Sequence, residues 1–468
     1  MTTRRAVLTG AAVVGVGAVA AGVGINHALQ EKAGPPSPPA TDKAGNMVWR
    51  NWSGNQHSYP AERAAPANEI ELAALLASAP APIRAVGAGH SFTALVPTDG
   101  TLLTLDRMTG LVGHDAAALT AEVRAGTRLG ELGASLAAIG QEMPNLPDIN
   151  KQTLAGAIAT ATHGTGHGLT AIHGKLLDLT LLTAQGVPLT LSRDQQPELF
   201  DAARVNLGAF GIVTRMTLQN VPLTRVKKTV TMVDADRLMA DWPRLRTAHR
   251  NAEFYLIPFT GRGILITHDV TTDPVKPRGE DHDDEGVMQL RQARDLLGWS
   301  PWLRRKVLSG AVADAPPDIA VDAGWKLLSN ERGVPFNEME YHLPLDAQID
   351  ALREVMTAIE TRRPDVFFPI EARIIAPDDA MLSPFYQRES GSIAVHAWFK
   401  DDYSFLFELI EPILRKHGGR PHWGKLNSLG AADFRKLYPR FDDAAKLRAE
   451  LDPQGRLLNP YLRKVFGV

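Results

Sequence analysis

The sequence predicts an α+β chain built in two parts, and three observations carry that expectation. From Trp49 to about Pro222, short apolar runs broken by glycine and proline alternate with helical segments. From about Val226 the apolar runs lengthen, and longer helices separate them. The chain has 468 residues, more than one ordinary core holds, so two or more domains are expected. In the first part Ile83-Arg84-Ala85-Val86, Leu102-Leu103-Thr104-Leu105 and Ala121-Glu122-Val123 read as strands. Asn68 is the expected N-cap of a helix over 68–78, with Glu71 as its capping-box partner, and 129–139 is a second helix. Strands interleaved with helices indicate an α+β or α/β domain. In the second part 227–233, 263–268, 336–342, 370–375 and 392–399 read as strands of an antiparallel sheet. Helices over 347–361 and 403–417 separate some of them. The last fifty residues carry an aromatic, glycine-rich loop, a helix and a closing turn region. The expected division is 1–45 as leader and linker, 46–222 and 223–415 as the two domains, and 416–468 as a C-terminal segment.

Composition limits what such a chain can do. It is 44% hydrophobic and 22% charged, with 40 Gly and 32 Pro, which is the profile of a globular chain with many tight turns. A net charge of −2 offers no basic face, so nucleic acid is not an expected partner. With no cysteine there is no disulfide, no zinc–thiolate site and no thiol nucleophile. Stability must come from the core, or from a bound cofactor.

The N-terminus has the form of an export signal. Thr3-Arg4-Arg5-Ala6-Val7-Leu8 is a twin-arginine pattern, followed by an uncharged Ala/Gly/Val-rich run to about Ile25. Gly34-Pro35-Pro36-Ser37-Pro38-Pro39 then reads as a spacer. The expectation is a Tat-type signal, with the Tat machinery as a partner and a periplasmic or extracellular destination. No decisive A-x-A cleavage site follows, so retention as a membrane anchor stays open. The Tat route carries folded proteins, which hints at a cofactor acquired inside the cell.

The acidic run Glu280-Asp281-His282-Asp283-Asp284-Glu285 lacks the alternating ligands and turn glycine of a calcium loop. It reads as a solvated loop, and no metal site is expected.

Two glycine loops carry the chemistry. Val86-Gly87-Ala88-Gly89-His90-Ser91-Phe92 follows a strand-like run directly. Its small residues let the backbone approach a ligand and aim successive N–H groups at an anion. The third glycine of a dinucleotide fingerprint is missing. Thr160-Ala161-Thr162-His163-Gly164-Thr165-Gly166-His167-Gly168 is the second, after Ala155-Gly156-Ala157-Ile158-Ala159. Either loop alone could be no more than a tight turn. Gly419 to Lys425 fits G-x-x-x-x-G-K, but Leu426 replaces the Ser/Thr that would hold Mg²⁺, and His422 and Trp423 are too bulky for a bare cradle.

Together with Ala209-Phe210-Gly211-Ile212-Val213-Thr214, these loops resemble the PCMH-type FAD-binding domain of the vanillyl-alcohol oxidase superfamily. Glu371-Ala372-Arg373, Leu382-Ser383-Pro384-Phe385-Tyr386 and Pro421-His422-Trp423-Gly424-Lys425 are similar to its alditol oxidase and aldonolactone oxidase branch. The resemblance runs from about Trp49 to Val468. It implies an FAD domain, a substrate-binding cap on the antiparallel sheet, and a C-terminal segment returning to the flavin. It implies FAD bonded covalently through His90, with Val86, Gly87, Ala88, Gly89, His90 and Ser91 along the pyrophosphate and ring. Ala161, Thr165, Gly166, His167 and Gly168 would continue the cradle, and Val213 would lie by the adenine end.

Alcohol oxidation by a flavin needs a hydride over N5, a route for the hydroxyl proton, and a counter-charge for the reduced ring. Glu371 and Arg373, two apart on a strand, share one face; alone they could be a structural ion pair. The resemblance implies that Glu371 accepts substrate hydroxyls, that Arg373 counters charge, and that Lys425 sits near the reacting oxygen. His396 would face the substrate and Thr153 would wall the pocket. Alditol oxidases carry a small hydroxyl residue just after the His396 position, where this chain has Ala397-Trp398. A tryptophan there would narrow the pocket and favour lactones or other alcohols over open-chain polyols. The expected activity is therefore oxidation of a sugar alcohol or aldonolactone, with O2 or an electron carrier reoxidising the flavin. An exported sugar-binding protein and an NADPH-using reductase of the same fold are the competing readings. The first needs no flavin attachment, and the second lacks the E-x-R and H-W-G-K pair.

Overall fold

The computed structural model describes residues 37–280, 283–311 and 316–468. The export-signal expectation therefore lies almost wholly outside the described residues.

The first part holds two larger sheets, beside two short two-stranded ones. Glu62–Ala64, Thr101–Leu103 and Ile83–Ala85 pair in parallel, in that order. A five-stranded antiparallel sheet runs Pro188–Ser192, Leu176–Leu182, Ile212–Gln219, Thr120–Arg124, Leu111–Asp115. The helix Glu69–Ser78 starts where its cap predicts: Asn68 Oδ1 accepts from Glu71 N at 2.9 Å, and Glu71 Oε2 accepts from Ala67 N at 2.8 Å. Glu71 thus reaches the N–H of Ala67, one residue before the cap, rather than the Asn68 N–H of a strict capping box.

The second part is one antiparallel sheet of eight strands. Their order is Asp318–Ala323, Arg225–Asp234, Arg262–Val270, Asn251–Ile257, Ile370–Ile375, Ser390–Trp398, Phe336–Pro344, Arg420–Pro421. Period-two alternation gives it two unlike faces. Phe254, Ala372, Val395 and Met339 turn to one side and pack on Leu238 and Trp242 of helix Ala235–Ala248 and on Leu352 and Val355 of helix Gln348–Arg362. The intervening residues Tyr255, Glu371, Arg373, His396, Glu338 and Glu340 turn to the other side, towards the first part.

Two local expectations differ from the structure. Residues 403–417 are not one α-helix: a π-helical turn, Leu406–Ile410, precedes Glu411–Lys416. Pro412 has no N–H to continue an i→i−4 ladder, which favours the wider turn. The acidic run is not wholly a loop. Asp283 begins the helix Asp283–Leu297, with Asp283, Asp284 and Glu285 in its first turn, where negative charge suits the helix dipole.

The C-terminal segment returns to the first core. Trp423, Phe434, Tyr438 and Phe466 join the cluster that contains Leu72, Leu103, Val123 and Leu181. Polar contacts fix this closure. Ile83 N donates to Arg456 O at 2.9 Å. The Arg84 guanidinium, 2% exposed, donates to the carbonyls of Leu95 (2.8 Å), Leu207 (2.8 Å), Gly208 (2.6 Å) and Leu457 (2.6 Å). Asn459 Nδ2 donates to Ala94 O and Pro97 O, both at 2.8 Å.

Candidate active site

A cavity of about 440 Å³ lies between the polar face of the large sheet and the first part. The loop after strand Ile83–Ala85 forms one wall. Its carbonyls are turned outward: Trp52 N donates to Gly89 O at 2.8 Å, Asn51 Nδ2 to Ser91 O at 3.0 Å, and Asn55 Nδ2 to Phe92 O at 3.0 Å. Among the described residues, none accepts from the backbone N–H groups of Gly87, Ala88, Gly89, His90 and Ser91. Successive unpaired donors on a loop form an anion nest, which suits a diphosphate. Gly89 takes φ +69°, open to glycine at little cost. A Cβ on Gly87 would lie 2.3 Å from Thr153 Oγ1. Thr153 is held there because its hydroxyl caps the short helix Leu154–Ala159, accepting from Gly156 N at 3.3 Å. Gly87→Ala should therefore purify with little or no flavin, read from the ratio of visible to ultraviolet absorbance. Flavin content equal to wild type would refute the close-approach reading.

Val86, Gly87, Ala88, Gly89, His90, Ser91, Thr153, Val213, Glu371, Arg373, His396 and Lys425 all line this cavity. Ala161, Thr165, Gly166, His167 and Gly168 do not. Ala161 is in the core at φ +59°. Thr165 Oγ1 donates to Ala252 O at 2.5 Å and accepts from Ile374 N at 3.2 Å; Gly166 N donates to Ile374 O at 2.9 Å. A Cβ on Gly164 would meet Leu146 O at 2.2 Å, and one on Gly166 would meet Arg250 O at 2.7 Å. These small residues let two backbones touch and lock the Glu371–Arg373 strand to the first part. His167 is exposed and bonds Glu389 at 3.0 Å, and Gly168 lies in the same exposed turn. The cavity is lined instead by the neighbours Gly156, Thr160, Thr162 and His163.

The substrate end centres on Glu340, 1% exposed. Its Oε1 accepts from Arg373 Nη2 at 2.7 Å and from Ser392 Oγ. Arg373 Nη2 also lies 3.2 Å from Glu371 Oε2, and Tyr255 OH donates to Glu371 Oε1 at 2.7 Å. One guanidinium thus serves two carboxylates, and their pKa values part. Burial would raise Glu340, but Arg373 and then His163 outweigh it and hold it well below the usual carboxylate range. Burial raises Glu371, and Arg373 offsets that only in part. Two carboxyls driven apart in this way are suited to different roles. His163 Nδ1 lies 2.8 Å from Gly164 O and Nε2 lies 3.1 Å from Glu340 Oε1. A carbonyl can only accept, so both contacts are hydrogen bonds only when a proton also lies between Nε2 and Glu340; this assignment follows from the network.

Lys425 Nζ pairs with Glu338 Oε2. The pair is aligned because the 420–426 loop runs beside strand Phe336–Pro344, with His422 N donating to Glu340 O at 3.0 Å and Leu426 N to Glu338 O at 2.9 Å. His396 Nδ1 lies 3.2 Å from Pro369 O, and its Nε2 lies 3.8 Å from Glu338 Oε1. Glu338, Glu371 and His396 could together ligate a metal, as could His163, Glu340 and His342. Arg373 pairs with Glu340 and Glu371, and Lys425 with Glu338. Trp398 does not narrow the cavity: it packs between Phe367, Phe368 and the Arg291 guanidinium. At the cradle end of the cavity the ring of His90 lies 4.9 Å from that of Trp52. Burial, with the charges of Lys425 and Arg128, lowers its pKa to about 4 and keeps the imidazole neutral near pH 7.

Residues 60–192 match an FAD-binding domain, and residues 216–465 match the D-arabinono-1,4-lactone oxidase family. The chain belongs to the D-arabinono-1,4-lactone oxidase family. Among its relatives, L-gulono-1,4-lactone dehydrogenase of Mycobacterium tuberculosis is 33% identical over 431 residues, 90% of this chain and 99% of that one. Alditol oxidase of a Streptomyces species is 29% identical over 437 residues, 89% of this chain and 98% of that one. The crystal structure of cholesterol oxidase from B. sterolicum superposes with a TM-score of 0.74 at 16% identity, over 93% of this chain and all of that one, a likeness of fold. This member of the family is an FAD-dependent oxidoreductase acting on CH–OH donors.

Sequence reasoning missed Glu338, Glu340, His163, Tyr255 and Trp52. Asn337-Glu338-Met339-Glu340-Tyr341-His342 carried a usable signal, since alternating charges on an otherwise apolar strand place them all on one face.

Proposed function

We propose that the protein oxidises a CH–OH group of an aldonolactone or alditol, with FAD bonded covalently to His90. The observation that carries this is the placement of Glu371. Its carboxyl, raised by burial and held by Tyr255 and Arg373, stands in the cavity that the Gly87–Ser91 cradle walls. FAD, when bound, supplies the hydride acceptor. Glu371 takes the hydroxyl proton on its carboxylate as the C–H bond is broken. Tyr255 fixes one carboxylate oxygen, leaving the group little freedom to rotate. Arg373 places a permanent positive charge where negative charge develops, in a setting that excludes water and so gives that charge more weight. Lys425, oriented by Glu338, donates to a substrate oxygen, and His396 offers a second acceptor. His90, neutral at physiological pH, presents a ring nitrogen for the flavin bond.

A base must be ionised to act, so a raised Glu371 loses activity as pH falls through a value above the ordinary carboxylate range of about 4.3. Glu371→Gln should retain flavin, lose about 10²–10⁴-fold in kcat and lose the acidic limb of the profile. An unchanged acidic limb in the variant would transfer the base role to His396.

Reoxidation by O2, giving H2O2, is the first reading. A carrier-linked dehydrogenase is the second, favoured by the name of the Mycobacterium tuberculosis relative. The twin-arginine pattern supports export through the Tat route, with the flavin acquired before export.

A further inference from the structure

The cavity face of the large sheet changes character along one line. Tyr255 pairs with Glu371 on one side and with Ile264 on the other, and Ile264 pairs with Met232. In the adjacent row Ile266 pairs with Val230. On the Glu371 side the face is charged, with Glu338, Glu340, Arg373 and His396. Beyond Tyr255 it is aliphatic at Val230, Met232, Ile264 and Ile266, with the buried Lys228 at the far end of the same row of side chains as Val230. Both halves line the same cavity. Helix Asp283–Leu297 roofs the aliphatic half, presenting Val287 and Leu290 to the cavity, with Gln289 and the acidic first turn at its margin. Met232, Val230 and Ile264 are only half-buried although they sit in interior strands of the sheet, so their exposed surface faces this arm. Strands lie about 4.8 Å apart, which puts Ile264 roughly 10 Å and Met232 roughly 14 Å from Glu371 across the sheet. A bare sugar lactone held at Glu371 is too short to cover that surface.

We propose that the aliphatic arm binds an apolar substituent of the alcohol substrate. The substrate class is then a hydroxylated head group carrying an alkyl or ring tail. The inference rests on the oxidase reading above and adds the tail. Energy from the remote tail holds the head group in place at Glu371, and truncated substrates forgo it.

Holoenzyme assayed with 1,2-alkanediols, from butane- to decane-1,2-diol, tests this. The expected result is a kcat/KM that rises by about threefold per methylene over several members of the series. Val230→Asp should flatten that slope while changing the rate on butane-1,2-diol by less than about twofold. Val230→Thr, nearly isosteric, should halve the slope or more if the aspartate variant does not fold. A flat series in the wild-type enzyme, with aldonolactones still oxidised, overturns the arm and leaves the oxidase reading standing. Should no alcohol be turned over, diol binding read through flavin absorbance separates the two ideas. Tighter binding of longer diols keeps the arm and sinks the oxidase reading; binding independent of length sinks the arm.

Discussion

Arg373→Met should abolish useful activity, with kcat lower by about 10³-fold, and should cost about 3–5 kcal/mol of stability. The two effects share one cause. The guanidinium is buried between Glu340 and Glu371 and is the strongest charge holding either carboxylate. Removing it leaves two buried carboxyls with no permanent cation in contact, since burial lowers the pKa of the neighbouring His163. The pH dependence of the loss identifies the mechanism. In the wild-type protein the Glu340 pKa is depressed on folding, so its stabilisation is present above the unfolded value of about 4.3 and is lost as pH falls through the folded value. In the variant burial dominates and raises it. A raised carboxyl stabilises below the unfolded value and loses that contribution as pH rises through the folded one. The destabilisation should therefore be larger at pH 8 than at pH 5, measured by urea denaturation at both. A loss independent of pH would mean that Arg373 acts by packing alone.

His90→Ala should move the flavin from the acid-precipitated pellet to the supernatant. Denaturation removes every non-covalent contact, so colour retained in the wild-type pellet reports a bond to the chain. The unpaired N–H groups of the cradle remain in the variant, so native protein should still bind FAD, more weakly and at a lower redox potential. If the wild-type pellet is colourless, the bond is absent and the cradle holds FAD by contacts only. If the variant pellet stays yellow, another residue carries the bond.

Much of this site was legible in the sequence because its parts are local. The 86–91 loop follows a strand directly, and Glu371 and Arg373 share a face by period two, so neither depends on distant packing. Only the first half of the second glycine loop, through Thr160, Thr162 and His163, lines the cavity, for a physical reason. Glycine is demanded equally by a ligand approaching a backbone and by another backbone approaching it, and Gly164 and Gly166 meet Leu146 and Arg250 rather than a cofactor. Trp398 was misjudged because its side chain is drawn away by Phe367 and Arg291, partners remote in sequence. Glu338 and Glu340 gain meaning only across strands, through Lys425 and Arg373.

The closure of the C-terminal segment on strand Ile83–Ala85 has a bearing on biosynthesis. Arg84 finds its acceptors at 95, 207, 208 and 457, and Ile83 finds its own at 456. A nascent chain cannot satisfy these groups until its last residues leave the ribosome. A buried guanidinium short of an acceptor is costly, so the strand that aims the cradle is not settled before then. Contacts of such long sequence separation also form late in folding. Cofactor capture is thereby expected to wait for residues 456 and 457: a chain that stops before them should bind flavin poorly.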